Sequence, residues 1–291
     1  MKFYSPLRYP GGKSKLTKQI ISLLETNNYN HGIYVEPFAG GAGIALSLLF
    51  NNYVDRIHIN DLDTSVYSFW KAILEDNKEF IQLIRDTPIT IEEWQHQRSI
   101  QDNPENASVL ELGFSTFYLN RTNISGIIKG GVIGGYNQSG NYKMDARFNK
   151  ENLINRIKKI HKFKNKILVT NLCVMDLIEN TLNTKEERYF IYFDPPYYIK
   201  GPELYKKHLT HEEHLQISHM IRDLQYHYWV VTYDNVPEIN EMYTDFRKKT
   251  YTLNYSAGKA AKGKEVMVFS NNLILNYVNY HEPKGIVASK A

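Results

Sequence analysis

The stretch YFIYFDPPYY, residues 189–198, decides the fold. Five apolar or aromatic residues, Tyr189 to Phe193, read as a buried strand. Two prolines then stop it, because proline has no N–H to give to a central ladder. Asp194 stands between strand and prolines, where a carboxylate is costly unless something pairs with it. The reading is a strand, an abrupt end, and a rigid turn that carries Asp194 and Tyr197 outward.

Other segments repeat the strand pattern on both sides. IYVEPF (33–38), RIHIN (56–60), ILV (167–169) and YWVVTY (228–233) read as strands. Helical spacing marks 15–24, 66–74, 153–160 and 211–225. Strands alternating with helices predict an α/β fold with a mostly parallel sheet covered on both faces. YTLNY (251–255) and EVMVFS (265–270) break the alternation and read as an antiparallel pair joined by the basic connector SAGKAAKGK. Residues 85–148 look less regular, and TNISGIIKGGVIGGYNQSGNY reads as a long loop or hairpin. The expected division is a catalytic domain of 1–66 and 167–291 with an inserted domain of 67–166.

The chain has 291 residues, 42% of them apolar, which suffices for one large α/β domain with an insertion. A single cysteine, Cys173, excludes a disulfide framework and suits a reducing cytosol. The N-terminus has no apolar signal core, and no run reaches the length of a membrane span. A cytoplasmic protein, monomeric in solution, is expected. Charge is uneven. Arg121 to Lys166 holds 11 Lys/Arg against 2 Asp/Glu, and the rest of the chain holds 24 against 29. A solvated helix face would give this count, and so would a surface that neutralises phosphates.

VEPFAGGAGIAL puts Gly40, Gly41 and Gly43 between a strand and a helix, where the backbone can approach a ligand closely. Asp61 closes the next strand about 20 residues on, the place for an acid that accepts from ribose hydroxyls. The full dinucleotide fingerprint is absent, so a pyrophosphate is not the expected ligand. His208, His211 and His214 invite a metal reading. The neighbouring acids fit a helix N-terminus better, and no metal is expected.

RYPGGKSKL, VEPFAGGAG, Asp61 after a strand, and DPPY occur in one order, and in that order the chain resembles the Dam-type, alpha-group adenine-N6 DNA methyltransferases. The resemblance covers the first 70 residues and about 165–235, and is looser between. It implies a Rossmann-like sheet that binds S-adenosylmethionine. It also implies cofactor contacts at Tyr9, Lys13, Phe38, Gly40, Gly41, Asp61 and Asp194, with Lys13 beside the methionine carboxylate. Asp176 matches a polar contact to the cofactor adenine, although an ordinary helix-capping aspartate looks the same. Tyr233 fits either the pocket wall or the core.

The turn then has a chemical task. The exocyclic amine of adenine is a poor nucleophile because its lone pair is delocalised into the ring. A carboxylate from Asp194 and a carbonyl from Pro195 would accept its two N–H bonds and free that lone pair. Pro195 and Pro196 fix the backbone for both acceptors, and Tyr197 offers a ring for stacking an extruded base. The Asp at the start of DPPY resembles the adenine branch; an Asn there also occurs in enzymes acting on cytosine or glutamine amines. The expected partner is double-stranded DNA, with a cognate restriction endonuclease acting separately. Base contacts are expected from Arg121, Asn123, Lys129, Asn137, Gln138 and Lys143 in the insertion, and phosphate contacts from Lys/Arg among 156–166.

Overall fold

The computed structural model describes residues 3–8, 13, 16–199, 209–255 and 261–275. Contacts cluster into two compact units, one of residues 1–12 and 63–171, the other of 13–62 and 172–291.

The second unit is built on a sheet. Its strands are β1 (Ile33–Glu36), β2 (Arg56–Asn60), β4 (Tyr189–Phe193), β5 (Tyr228–Asp234), β6 (Arg247–Tyr255) and β7 (Ala261–Phe269). These six strands of the sheet lie in the order β2-β1-β4-β5-β7-β6. The pairs β1–β2, β1–β4 and β4–β5 are parallel, and β5–β7 and β6–β7 are antiparallel. The alternation of strands and helices thus gives a parallel sheet, and the C-terminal pair is antiparallel. The pair is longer than the sequence suggests. Residues 261–264 of the basic connector belong to β7 rather than to a loop, and 256–260 lie outside the described residues.

The central strands are apolar at nearly every position because both of their faces are covered. Phe190, Ile191, Val230 and Val231 are fully buried. Helices α1 (Thr17–Thr26), α2 (Gly43–Phe50), α8 (Val174–Leu177), α9 (His211–Asp223) and α10 (Pro237–Met242) belong to this unit. Helix α9 starts at a capping box, in which the Thr210 hydroxyl accepts from the Glu213 N–H and the Glu213 carboxylate accepts from the Thr210 N–H. Its Ile217 and Ile221 enter the same core cluster as Val35, Phe193 and Val231.

Strand β1 has β2 on one side and β4 on the other, and the chain leaves β1 and β4 in the same direction. Such a switch point opens a crevice beyond the strand ends, where α/β sheets bind ligands. The glycine loop follows β1 and the DPPY turn follows β4, so the topology alone brings them to this crevice.

The first unit is mainly helical: α3 (Thr64–Glu75), α4 (Asn77–Asp86), α5 (Ile91–Asp102), α6 (Val109–Thr122) and α7 (Lys150–Lys162), with the short strand β3 (Ile167–Thr170). Two of these helices correct the irregular reading of 85–148. Helix α6 is buried on every side from Leu112 to Thr122, so it lacks the polar face that periodicity detects. Helix α5 buries few apolar side chains, Trp94 foremost. Aromatic rings fill this core: Phe69 and Phe117 stack at 6.0 Å, and Phe80 meets both edge-on. Gly113 permits the close approach of α3 and α6, since a Cβ there would stand 2.5 Å from the Ser68 carbonyl oxygen. After α6 the chain turns through 124–148 in short 3₁₀ segments, with one isolated bridge between Asn123 and Val132.

Among the described residues no helix is long and apolar enough to cross a membrane.

Candidate active site

Asp194 leaves the buried end of β4 with its side chain 24% exposed. Its Oδ1 accepts a hydrogen bond from the Thr232 hydroxyl of β5 at 2.8 Å and lies 3.4 Å from the Lys13 ammonium. Both contacts fall on one oxygen, Oδ1. Burial raises the Asp194 pKa above the usual carboxylate value, and Lys13 opposes that rise while Glu265 adds to it.

Lys13 is buried, and Glu265 of β7 is its nearest charged partner at 2.7 Å. Burial alone would lower its pKa. The carboxylates of Asp194 and Glu265 outweigh that effect and hold the ammonium charged well above its ordinary range. Its third contact is the Tyr197 hydroxyl at 3.0 Å. An ammonium has three N–H bonds, and Glu265, Tyr197 and Asp194 account for them. These three contacts set the ammonium against the DPPY turn.

Tyr197 is also placed differently from the outward position expected of it. It is buried, its hydroxyl donates to Glu265 Oε1 at 2.7 Å, and the Lys13 ammonium lies 4.9 Å from its ring centre. A ring so covered offers no open face to a base in this structure. Glu265 is the centre of the arrangement, accepting from Lys13, Tyr197 and Tyr251. Charge pairing and these bonds keep its pKa below the usual value, against the upward push of burial. Nothing in the local sequence around EVMVFS marked it.

Asp234, at the end of β5, belongs to the segment YDN (233–235), which the sequence sets in the wall of the same pocket. Its two oxygens accept from the Tyr198 and Ile199 N–H groups at 2.9 and 3.1 Å. It therefore fixes the chain directly after DPPY.

Across the crevice entrance, the glycine loop is buried at Gly40 and Gly41. Gly40 has φ 46° and Ala42 φ 45°, the left-handed region that glycine tolerates and alanine enters at a cost. The Gly40 N–H donates to Asp61 Oδ2 at 2.8 Å. Asn60 staples three segments: its side chain donates to the Pro37 and Leu172 carbonyls and accepts from the Leu172 N–H. Glu36, fully buried at the end of β1, accepts from the Ala45 N–H, and burial pushes its pKa up to about 8. Phe38 is half-buried against the core. Asp176 is exposed within α8 and makes no capping bond there. Tyr9 and His208 lie outside the described residues. His214 is buried and bonded to the Tyr233 hydroxyl at 2.8 Å, and burial lowers its pKa to about 4. Tyr233 is thus core, bonded to a neutral imidazole.

In the helical unit the expected base-reading residues divide. Lys129, Asn137 and Lys143 are exposed. Asn123 is fully buried: it accepts from the Trp94 indole N–H at 2.6 Å and donates to the Ile127 and Ile128 carbonyls. Its amide holds the loop together and has nothing left for a base. Gln138 is likewise used internally, donating to the Ile133 and Gly135 carbonyls and accepting from the Met144 N–H. Arg121 is buried, 8% exposed.

The chain is similar to known methyltransferases over most of its length. It is 26% identical over 204 residues to the type II methyltransferase M.MjaIII of Methanocaldococcus jannaschii, covering 66% of this chain and 68% of that one. The same identity over 204 residues relates it to the modification methylase StsI of Streptococcus sanguinis, of which only 29% is covered, against 67% of this chain. Among solved structures, M. capricolum TrmK in complex with S-adenosyl-homocysteine matches with a TM-score of 0.33 at 7% identity, over 88% of this chain and 72% of that one. The rRNA methyltransferase aviRa from Streptomyces viridochromogenes gives 0.36 at 11% identity, over 90% and 86%. A sequence model of one family spans residues 9–256, from before Lys13 through the glycine loop and the DPPY turn to the end of β6. On that match the chain belongs to the D12 class N6 adenine-specific DNA methyltransferases.

Proposed function

We propose that the turn Asp194–Pro195–Pro196–Tyr197 receives an adenine extruded from duplex DNA and presents its N6 amine for methylation. The chain is an adenine-specific DNA methyltransferase that uses S-adenosylmethionine; the proposal concerns which residues do the work. The observation that carries it is the one-sided loading of Asp194. Thr232 and Lys13 hold Oδ1, and Oδ2 is left to accept an amine N–H. The Pro195 carbonyl is the second acceptor, and the two prolines fix it in place.

Two acceptors on one amine draw its nitrogen toward tetrahedral geometry and release the lone pair. Preorganised acceptors need no rearrangement as charge develops. Lys13 opposes the rise that burial causes in the Asp194 pKa, and Glu265 and Thr232 keep both groups in place. When bound, S-adenosylmethionine supplies a methyl group already activated on a positively charged sulfur. Asp61 and the glycine loop suit its ribose end, since an acid closing the second strand accepts from vicinal hydroxyls. The Asp61–Gly40 bond fixes the loop for that purpose. In this reading residues 13–62 and 172–291 are the catalytic part. The helical unit, with its exposed Lys129, Asn137 and Lys143, holds DNA and selects the sequence.

Asp194→Asn tests the central claim. With labelled methyl donor and mixed-sequence duplex, transfer to DNA is expected to fall by at least about 10³-fold, as for loss of a preorganised charged contact, while donor binding persists. Retained transfer by Asp194→Asn sinks the assignment. The names of the relatives, a type II methyltransferase and a modification methylase, support a role in marking DNA against a restriction endonuclease. Such a role places the protein in the cytoplasm of a prokaryotic cell.

A further inference from the structure

Tyr192, the second tyrosine of β4, is 3% exposed. Burying a phenol is costly unless its hydroxyl finds a partner. Side chains two apart on a strand share a face. Tyr192 and Asp194, which stands one residue past the strand, therefore lie on the same side. On the neighbouring strand the register pairs Tyr192 with Val230 and Phe193 with Val231. Thr232 is the next residue of β5 on that face, so it stands beside Asp194. The three polar groups form a line. The Tyr192 hydroxyl lies 2.9 Å from the Thr232 hydroxyl, which lies 2.8 Å from Asp194 Oδ1.

The protons give this line a direction. A threonine hydroxyl has one proton, and Thr232 donates it to Asp194. The Tyr192 hydroxyl then has to donate to Thr232. Burial raises the Tyr192 pKa well above its ordinary value, so the phenol keeps its proton through the neutral range. Among the described residues its hydroxyl has no other hydrogen-bond partner. Reversing the line would leave that proton buried without an acceptor, which is costly. The arrangement thus favours Oδ1 as an acceptor and opposes its protonation. Hydroxyls bonded in series polarise one another, so the outer one strengthens the bond made by the inner one.

We propose that Tyr192 is a positioning residue for methyl transfer, acting through Thr232 to hold Asp194 oriented as an acceptor for the N6 amine. The inference rests on Asp194 receiving the adenine amine. The Thr232 bond lowers the Asp194 pKa against the rise caused by burial. The other charged or titratable groups acting around Asp194 are Lys13, Glu265 of β7, Glu36 and Tyr34 of β1, Tyr233 of β5 and Tyr251 of β6. The variants below leave all of these in place.

The experiment uses the full chain as Tyr192→Phe, Thr232→Val, Thr232→Ser and the double variant Tyr192→Phe with Thr232→Val. Methylation-aware sequencing first gives a target duplex. Single-turnover transfer is then followed across a pH series with saturating DNA and labelled donor, and donor binding is measured by calorimetry. Losing a donor raises the Asp194 pKa, so the acid limb of the rate profile should move to higher pH. On that limb Thr232→Val should lose about tenfold in rate, as for a hydrogen bond to a charged group. Tyr192→Phe should lose about threefold there, as for a neutral hydrogen bond. Both losses should shrink toward the plateau, and Thr232→Ser should restore the parent profile. In the Thr232→Val background Tyr192→Phe should change nothing further, because the outer hydroxyl acts only through the inner one. Donor affinity and the DNA concentration for half-saturation should be unchanged. A Tyr192→Phe profile that superimposes on the parent's overturns the proposal, as does a uniform loss at every pH. Additive losses in the double variant overturn it too. If Thr232→Val does not fold, Tyr192→Phe decides alone, since it removes one oxygen atom and no carbon. Asp194→Asn is run in parallel. Transfer retained by that variant indicts the functional reading, whereas transfer lost there with an unmoved Tyr192→Phe limb indicts only this inference.

Discussion

The Lys13 ammonium and the Glu265 carboxylate meet at 2.7 Å, 252 residues apart in the chain and both sealed from solvent. Removing one partner strands the other as a buried charge, which costs about 3–5 kcal/mol. Glu265→Ala and Lys13→Met should each lower stability by about that much in chemical denaturation. The double variant should lose clearly less than the sum, since residues in contact couple. Additive losses would show that the pair acts through something other than its charges.

Glu36 sets a pH dependence of definite sign. Its pKa is raised from 4.5 to about 8 by burial, so between these values the folded protein holds a proton that the unfolded chain releases. Stability must therefore fall as pH rises through that window. Glu36→Gln should remove this component. In cofactor-free protein, the difference in unfolding free energy between the variant and the parent should grow in favour of the variant from pH 4.5 to 8. A constant difference across the window would refute the assignment.

Asn123 separates a strut from a base reader. Its amide satisfies the Trp94 indole and two carbonyls. Asn123→Ala leaves buried groups unpaired, at about 1–3 kcal/mol each, and should lower the melting temperature by several degrees. The exposed Lys129 and Asn137 should behave in the opposite way. Their alanine variants should leave the unfolding midpoint unchanged while altering DNA binding. Equal melting of Asn123→Ala and the parent would return Asn123 to the list of candidate base contacts.

Gly113 is where the helical unit tolerates no side chain. An added Cβ would stand 2.5 Å from the Ser68 carbonyl oxygen, backbone that cannot swing away. Gly113→Ala should cost about 1–3 kcal/mol as an overpacking change, despite alanine's better helix propensity. A calorimetric melting temperature at or above that of the parent would show that α3 and α6 can separate freely.

The amino-acid sequence by itself determined the strands of the central sheet, the glycine loop and the DPPY turn. Each is a local matter: a continuous apolar run makes a buried strand, prolines end it, and glycine admits a left-handed backbone at Gly40. Helices α5 and α6 were hidden because periodicity needs one polar face and one apolar face, and α6 has no polar face. The tertiary structure alone decided which polar residues are spent internally. Lys13, Tyr197, Asn123 and Gln138 carry the chemistry of ligand contacts, yet each meets its partners inside the protein. Glu265 and Asp234 hold the turn from strands distant in the chain. Whether a charge or an amide faces solvent depends on which distant segments pack against it. Burial and pairing are properties of the assembled neighbourhood, and a local pattern of residues does not contain them.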